Sequence, residues 1–209
     1  MKFIAGIALI VCLFPGMSRA TELNLATLTC AKYENEVLPA AAATNTVADS
    51  INTVMWLFGY SIAKSGAHVM YPDALTPFGF ALDGECKSNP PESLLDALGF
   101  VKPETQNPMN LTTLECAVFA SRHVELARTD PESATTIMMW LFGFSVARSG
   151  SHMFDADSVG SFQSALLADC AKHPHISLFD ALTAASRPKA ADKPKATATP
   201  NGVKSPAHP

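Results

Sequence analysis

Two histidines and four cysteines are the residues whose types and spacing could do chemistry in this chain. His68 ends the segment SGAH and His152 ends SGSH. A matched pair of imidazoles could respond to pH near neutrality, or share a metal ion between two halves of the molecule. The plainer role is a polar group at a helix end, present twice because the segment is present twice. His173 and His175 are two residues apart, a spacing that turns side chains away from each other on a helix, so a zinc site is not expected there. Cys30, Cys86, Cys116 and Cys170 form no CxxC pair, which removes a zinc ribbon and a thioredoxin-type redox centre from consideration. No GxSxG, phosphate-binding glycine loop or HExxH occurs, and no pair of carboxylates is marked out as general acid and base. The expectation is therefore no catalytic residue, no metal, no cofactor and no enzyme activity.

The N-terminus decides how the cysteines read. Lys2 precedes an apolar stretch from Phe3 to Phe14, Pro15 and Gly16 break it, and Ser18-Arg19-Ala20 offers small residues for cleavage. These are the parts of a secretory signal, expected to be cut near Ala20 and to deliver the chain to the periplasm. The apolar run is too short to span a bilayer, and no later run is long enough either, so the protein is not expected to be integral to a membrane. Cys12 would leave with the signal. The remaining four cysteines, in an oxidising compartment, would form two disulfides.

The largest regularity is an internal repeat. MWLFGYSIAKSGAH, from Met55 to His68, and MWLFGFSVARSGSH, from Met139 to His152, agree at ten of fourteen positions at an offset of 84. The same offset joins Phe78, Leu82 and Cys86 to Phe162, Leu166 and Cys170, and Ser93, Leu94, Asp96 to Ser177, Leu178, Asp180. Upstream the offset is 86, joining Asn24, Leu25 and Cys30 to Asn110, Leu111 and Cys116. A two-residue length difference thus falls between the first cysteine and the tryptophan of each copy, a change a loop between helices absorbs. Four cysteines allow three pairings. The repeat favours Cys30 with Cys86 and Cys116 with Cys170, each copy closing its own loop.

The elements that must position these residues read as helices, about four per copy. The first is expected over Leu25 to Ala40 and Leu111 to Ala127. In the second, Ile51, Val54, Met55, Phe58 and Ile62 recur at helical spacing, while Trp56 and Tyr60 extend the apolar surface to another face, marking a buried central helix. Asp130-Pro131-Glu132 starts its twin, Lys64 and Arg148 sit in the last turns, and Gly66 and Gly150 follow as C-caps. Gly59 and Gly143 interrupt this helix, which close helix packing would compensate. Trp56, Trp140, Met138 and Met139 read as core. The third helix is expected over Asp73 to Cys86 and Asp157 to Cys170. A short fourth is expected over Pro91 to Leu98, with Asn89 nearby to cap it, and over His175 to Ala184. The organisation is a signal at 1–20, module one at 21–99, a linker at 100–108, module two at 109–185, and a disordered Pro/Lys/Ala-rich tail at 186–209.

Residues 21 to 185 hold eighteen Asp and Glu against eight Lys and Arg, a formal charge of −10, whereas residues 186 to 209 carry +4. An acidic body argues against a nucleic-acid partner. Cys-x-x-aromatic (CAKY, CAVF), WLFGY and WLFGF, a second cysteine closely followed by proline (CKSNP, CAKHP), and the SLLDAL and SLFDAL segments together resemble the HdeA/HdeB family of periplasmic acid-stress chaperones. The resemblance covers both copies. It implies small all-α modules with one structural disulfide each and the tryptophans in the core, packed here as a pseudo-dimer within one chain. It also implies a protein that loosens on acidification and holds unfolding clients. Below about pH 3 the carboxylates neutralise while Lys, Arg and His stay charged, so residues 21–185 would swing from −10 to +13. The family places no catalytic residue. The alternative is a neutral-pH binding or immunity-type protein with one envelope partner. The oligomeric state is left open by the sequence.

Overall fold

The computed structural model describes residues 22–43, 47–98 and 109–186. The expected signal, the expected linker at 100–108 and the expected tail beyond Ser186 lie outside the described residues. Within them the fold is all-α with four two-residue strands.

In unit one, β1 (Leu23–Asn24) leads into α1 (Cys30–Lys32), a π-helical turn at Tyr33–Val37, and α2 (Leu38–Ala43). The central helix α3 (Val47–Lys64) follows, then β2 (Val69–Met70), a 3-10 turn at Pro72–Ala74, α4 (Leu75–Ser88) and α5 (Leu94–Ala97). Unit two repeats the plan with β3 (Met109–Asn110), α6 (Cys116–Thr129), α7 (Pro131–Arg148), β4 (Met153–Phe154), α8 (Ala156–Lys172) and α9 (Leu178–Ala185).

The local causes are legible residue by residue. Asp130 caps α7 by accepting from the Ser133 N–H at 3.1 Å, with Pro131 at the first helical position. Ser93 and Ser177 cap α5 and α9, each accepting from the N–H of the aspartate three residues on and donating its hydroxyl back to that carboxylate. Gly66 and Gly150 follow the central helices at φ of 78° and 76°, the left-handed conformation that ends a helix at least cost in glycine.

Three expectations need correction. The first helix of each unit begins at the cysteine and not at Leu25 or Leu111. Asn24 and Asn110 turn their side-chain oxygens onto the N–H groups of Ala26 and Thr112, an Asx turn that competes with helix at that point. The fourth helix begins at Leu94, capped by Ser93; Asn89 instead closes α4, donating its backbone N–H to the Glu85 carbonyl. In unit two this helix likewise starts later, at Leu178 in place of His175. The four strands were not anticipated, because two residues carry no period.

Cys30 is joined to Cys86 and Cys116 to Cys170. Each bridge ties the start of a unit's first helix to its third, and the N–H groups of Cys30 and Cys116 bond the carbonyls of Glu92 and Ile176 ahead of the fourth helix. All four cysteines are buried.

The two central helices lie side by side in register. Thr136 Oγ1 bonds Asn52 Oδ1 at 3.1 Å, and these two residues occupy equivalent positions in the repeat. Further along, Gly59 presses on the backbone of Trp140 and Gly143 on that of Trp56; a Cβ at either glycine would overlap the facing carbonyl oxygen. The strands also cross between units: β1 pairs antiparallel with β4 and β2 with β3. One apolar core results, with Trp56, Phe58, Trp140 and Phe144 among its most deeply buried side chains.

Candidate functional site

Two places have the features of a site: the seam between α3 and α7, and a groove on unit one. The seam is aromatic. Trp56 packs on Phe154 of unit two at a ring distance of 4.9 Å, and Trp140 meets Phe58 of unit one at 6.5 Å. Among the described residues both indole N–H groups are buried without a hydrogen-bond partner. Each orphaned donor costs roughly 1–3 kcal/mol. Met138 and Met139 are buried, as expected of core residues.

His68 and His152 both follow the C-terminal end of the central helices, each contacting the other unit. Their backbone carbonyls accept from Leu111 and Leu25, the residues that follow the opposite unit's first strand. Their side chains differ. His152 Nδ1 lies 2.6 Å from the Tyr60 hydroxyl, which donates to it when the ring is neutral. Burial pushes the Tyr60 phenol up from its ordinary range, so it stays protonated and able to donate. His68 has Phe144 at the position equivalent to Tyr60, and a phenylalanine has no hydroxyl. Its Nδ1 is buried without a partner while its ring packs on Phe179 at 4.3 Å. The two histidines thus have separate cross-unit partners, and among the described residues no group of three or more His, Cys, Asp and Glu could hold a metal ion. His173 Nδ1 is 3.1 Å from Asp169, and His175 Nδ1 is 3.7 Å from Glu115, both on exposed surface.

The groove arises where the copies have diverged. Pro39 cannot donate to the carbonyl four residues back, and its ring crowds that carbonyl. The backbone opens by one residue ahead of it, so that the Leu38 N–H reaches the Tyr33 carbonyl five back and forms the π-turn. Unit two has Glu125 there, and α6 runs unbroken. Opposite the turn, α4 presents Gly79, Phe80 and Asp83 where α8 has Gln163, Ser164 and Leu167. The outcome in unit one is an open groove of about 350 Å³, with Val54 and Leu75 in its wall and Phe80 at its edge, 73% exposed. In unit two Gln163 reaches across to His123, Nε2 to Nε2 at 3.3 Å. His123 itself is buried and stacked on Phe119 at 5.7 Å.

The electrostatics of the two regions run in opposite directions. In the groove, burial first and the Asp83 carboxylate second push the Glu34 carboxyl up, with Lys87 partly offsetting them. Lys87 pairs with Asp83 at 2.7 Å, whereas Glu34 Oε1 is buried with no hydrogen-bond partner among the described residues. Burial also raises the Tyr33 phenol well above its usual range. In unit two burial lowers His123, whose Nδ1 is likewise without a partner, so the ring is held neutral.

Sequence reasoning missed Tyr33, Glu34, Phe80, Asp83 and His123. The available signal was divergence within the repeat: Glu34, Phe80, Asp83 and His123 each stand opposite a residue of a different chemical type, and Tyr33 carries a hydroxyl that Phe119 lacks. No helix among the described residues is long and apolar enough to cross a membrane. No family model, no curated protein and no solved structure matches this chain.

Proposed function

We propose that the chain is an exported, periplasmic chaperone-like protein of acid stress, non-enzymatic and similar to the HdeA/HdeB family. Its two modules would act as a pseudo-dimer that opens at low pH to hold unfolding clients. The observation that carries this reading is the seam. It stores a continuous aromatic surface between two covalently pinned modules, at the cost of two unpaired indole N–H groups that water would satisfy on opening. Acidification supplies the drive. The charge of residues 21–185 passes from −10 to +13, and like charges then favour expansion while the disulfides limit it.

His123 adds a local component, with a definite sign. Its folded pKa lies below its unfolded value, so the unfolded state binds the proton first. Stability is lost as pH falls below about 6.5 toward the folded value. Glu34 acts oppositely. Its folded pKa is raised, so its contribution is largest below the unfolded value and is lost as pH rises through the folded one.

The test is suppression of light scattering from an acid-labile client at about pH 2, where carboxylates are protonated. Suppression near stoichiometric amounts, with dye binding to newly exposed apolar surface, is expected. Full client aggregation at several-fold excess of the protein rejects the reading. The groove favours a second reading, a neutral-pH binding or immunity-type protein with one envelope partner, because it is open without any unfolding. A stoichiometric partner retained from envelope extract at neutral pH, together with no client protection in acid, would select it.

A further inference from the structure

In unit one the groove is open, whereas at the matching place among the described residues of unit two Gln163 reaches across to His123. The chemistry of the groove is specific. The wall is apolar, Phe80 offers an exposed ring face at the edge, and Glu34 and Asp83 place carboxylates beside it, where unit two has Ala120 and Leu167. Among the described residues Glu34 Oε1 lacks a hydrogen-bond partner, and the nearby Lys87 is engaged with Asp83. Such a groove suits a segment that presents rings or short apolar groups together with cations.

The chain itself contains that segment. Residues 187–209 read RPKAADKPKATATPNGVKSPAHP, with five basic residues and one acidic residue. Pro188, Pro194, Pro200 and Pro206 recur every six residues. A polyproline II strand has three residues per turn, so this spacing places all four prolines on one face. The first two are each flanked by cations on both sides, as Arg187-Pro188-Lys189 and Lys193-Pro194-Lys195. Proline-rich strands of this kind dock in aromatic-edged grooves, and flanking cations pair with carboxylates at the rim.

Length and tethering allow the contact. Extended at about 3.1 Å per residue, the tail reaches roughly 70 Å. A body of this size has a radius of gyration of only about 15 Å. The tail starts at Ser186, whose hydroxyl is 2.7 Å from that of Ser145 on α7, so it departs from the body and not from a distant linker. A tether of this kind holds its end at roughly millimolar effective concentration, enough to populate even a weak contact.

We propose that the groove of unit one is an intrachain docking site for this basic, proline-spaced tail. The prolines lie against Phe80 and the apolar wall, and lysine pairs with Glu34 and Asp83. The inference stands apart from the chaperone reading and does not need it.

Zero-length carbodiimide cross-linking of the chain with its tail intact, at neutral pH and low salt, tests it. A mixture of light and heavy isotope-labelled protein separates links within one molecule from links between two. The expected result is tail-lysine links to Glu34 or Asp83 within one molecule, with a yield several-fold above that of the exposed Glu36 and Glu132. Two variants sharpen the readout. Phe80→Ser installs the unit-two residue at an exposed position and should lower the yield roughly threefold or more through loss of the ring contact. Gly79→Gln should fill the groove and abolish the links. A Cβ at Gly79 would meet Val54 Cγ1 at 3.7 Å, an ordinary contact that leaves the fold intact. Far-UV circular dichroism identical to the parent certifies each variant. Links spread evenly over carboxylates of both units overturn the proposal. So do links between molecules only, or yields indifferent to both variants.

Discussion

The two units start from one sequence plan and end with different surfaces. Where the central helices meet, the closest backbone contacts have stayed alike, and around the groove of unit one the copies have diverged. Gly59 and Gly143, Trp56 and Trp140, and the two strand pairs meet across the seam as equivalents. Tyr33, Glu34, Gly79, Phe80 and Asp83 line an open groove, whereas Phe119, Ala120, Gln163, Ser164 and Leu167 stand at the matching positions around a filled one. The seam is constrained because each half is the other's packing partner, so a change in one must be matched in the other. The outer surfaces carry no such mutual condition. Divergence there points to function specific to one unit, and similarity at the seam points to assembly.

The largest test of equivalence is covalent. Cys30→Ser with Cys86→Ser opens a loop of 56 residues, and Cys116→Ser with Cys170→Ser one of 54. The chain-entropy cost depends only logarithmically on loop length, so each double variant should lose about 4 kcal/mol in urea unfolding under non-reducing conditions. A difference between the pairs well above 1 kcal/mol would mean that the units do not rely equally on their bridges. Next is the helix contact. Gly59→Ala and Gly143→Ala each set a Cβ against a carbonyl oxygen of the other central helix. The alanine gain in helix propensity, about 1 kcal/mol, is outweighed by overpacking of a backbone contact that can be relieved only by separating the helices. A net loss of about 2 kcal/mol each is expected, with exposure of tryptophan fluorescence as the accompanying sign. Equal losses keep the seam symmetric; a neutral result at either site would remove it as a close contact.

Much of this was legible in the sequence because repetition supplied its own alignment. The helix-two pattern, the capping Asp130, the glycines at 66 and 150 and the cysteine pairing each follow from a local rule or from closure within one copy. The rest was hidden for identifiable reasons. The strands are two residues long and are paired only with the other unit, so no local period announces them. Asn24 and Asn110 hold turns through side chains, against a helical apolar spacing that continues through Leu25 and Leu28. The expected helix to Ala40 ran through Pro39, and whether a helix ends or opens into a π-turn at a proline depends on what packs against it. The groove required knowing that Gly79 faces Val54 across the interior. Tyr60 and Phe144 looked conservative as a pair; only the position of His152 gives the hydroxyl a meaning.

Acidification separates the units in a second way. His123→Val places the unit-one residue in unit two. The smaller side chain leaves space and should cost about 1 kcal/mol at every pH. The informative quantity is the slope. Below about pH 6.5 the parent loses stability as His123 demands a proton its site resists, with a limiting slope of about 1.4 kcal/mol per pH unit. The variant should lose that component, and amide exchange in α6 and α8 should stop accelerating ahead of α1 and α4 as pH falls. An unchanged slope would show that acid does not enter unit two through this ring.

The smallest expected effect lies at the seam's own asymmetry. Tyr60→Phe makes the unit-one position match Phe144 and removes the hydroxyl 2.6 Å from His152 Nδ1. His152 is exposed, so water can replace the phenol, and the loss should be at most about 1 kcal/mol. The sign of its pH dependence carries the argument. With a neutral ring the phenol donates to Nδ1; once the imidazole is charged, Nδ1 carries the proton and donates to the phenol oxygen instead. The contact can persist with its direction reversed, so Tyr60→Phe should cost a similar amount in mild acid and at neutral pH. His68 provides the internal control, since its Nδ1 already lacks such a partner. If the cost instead vanished in acid, the Tyr60–His152 contact would be a latch released by protonation.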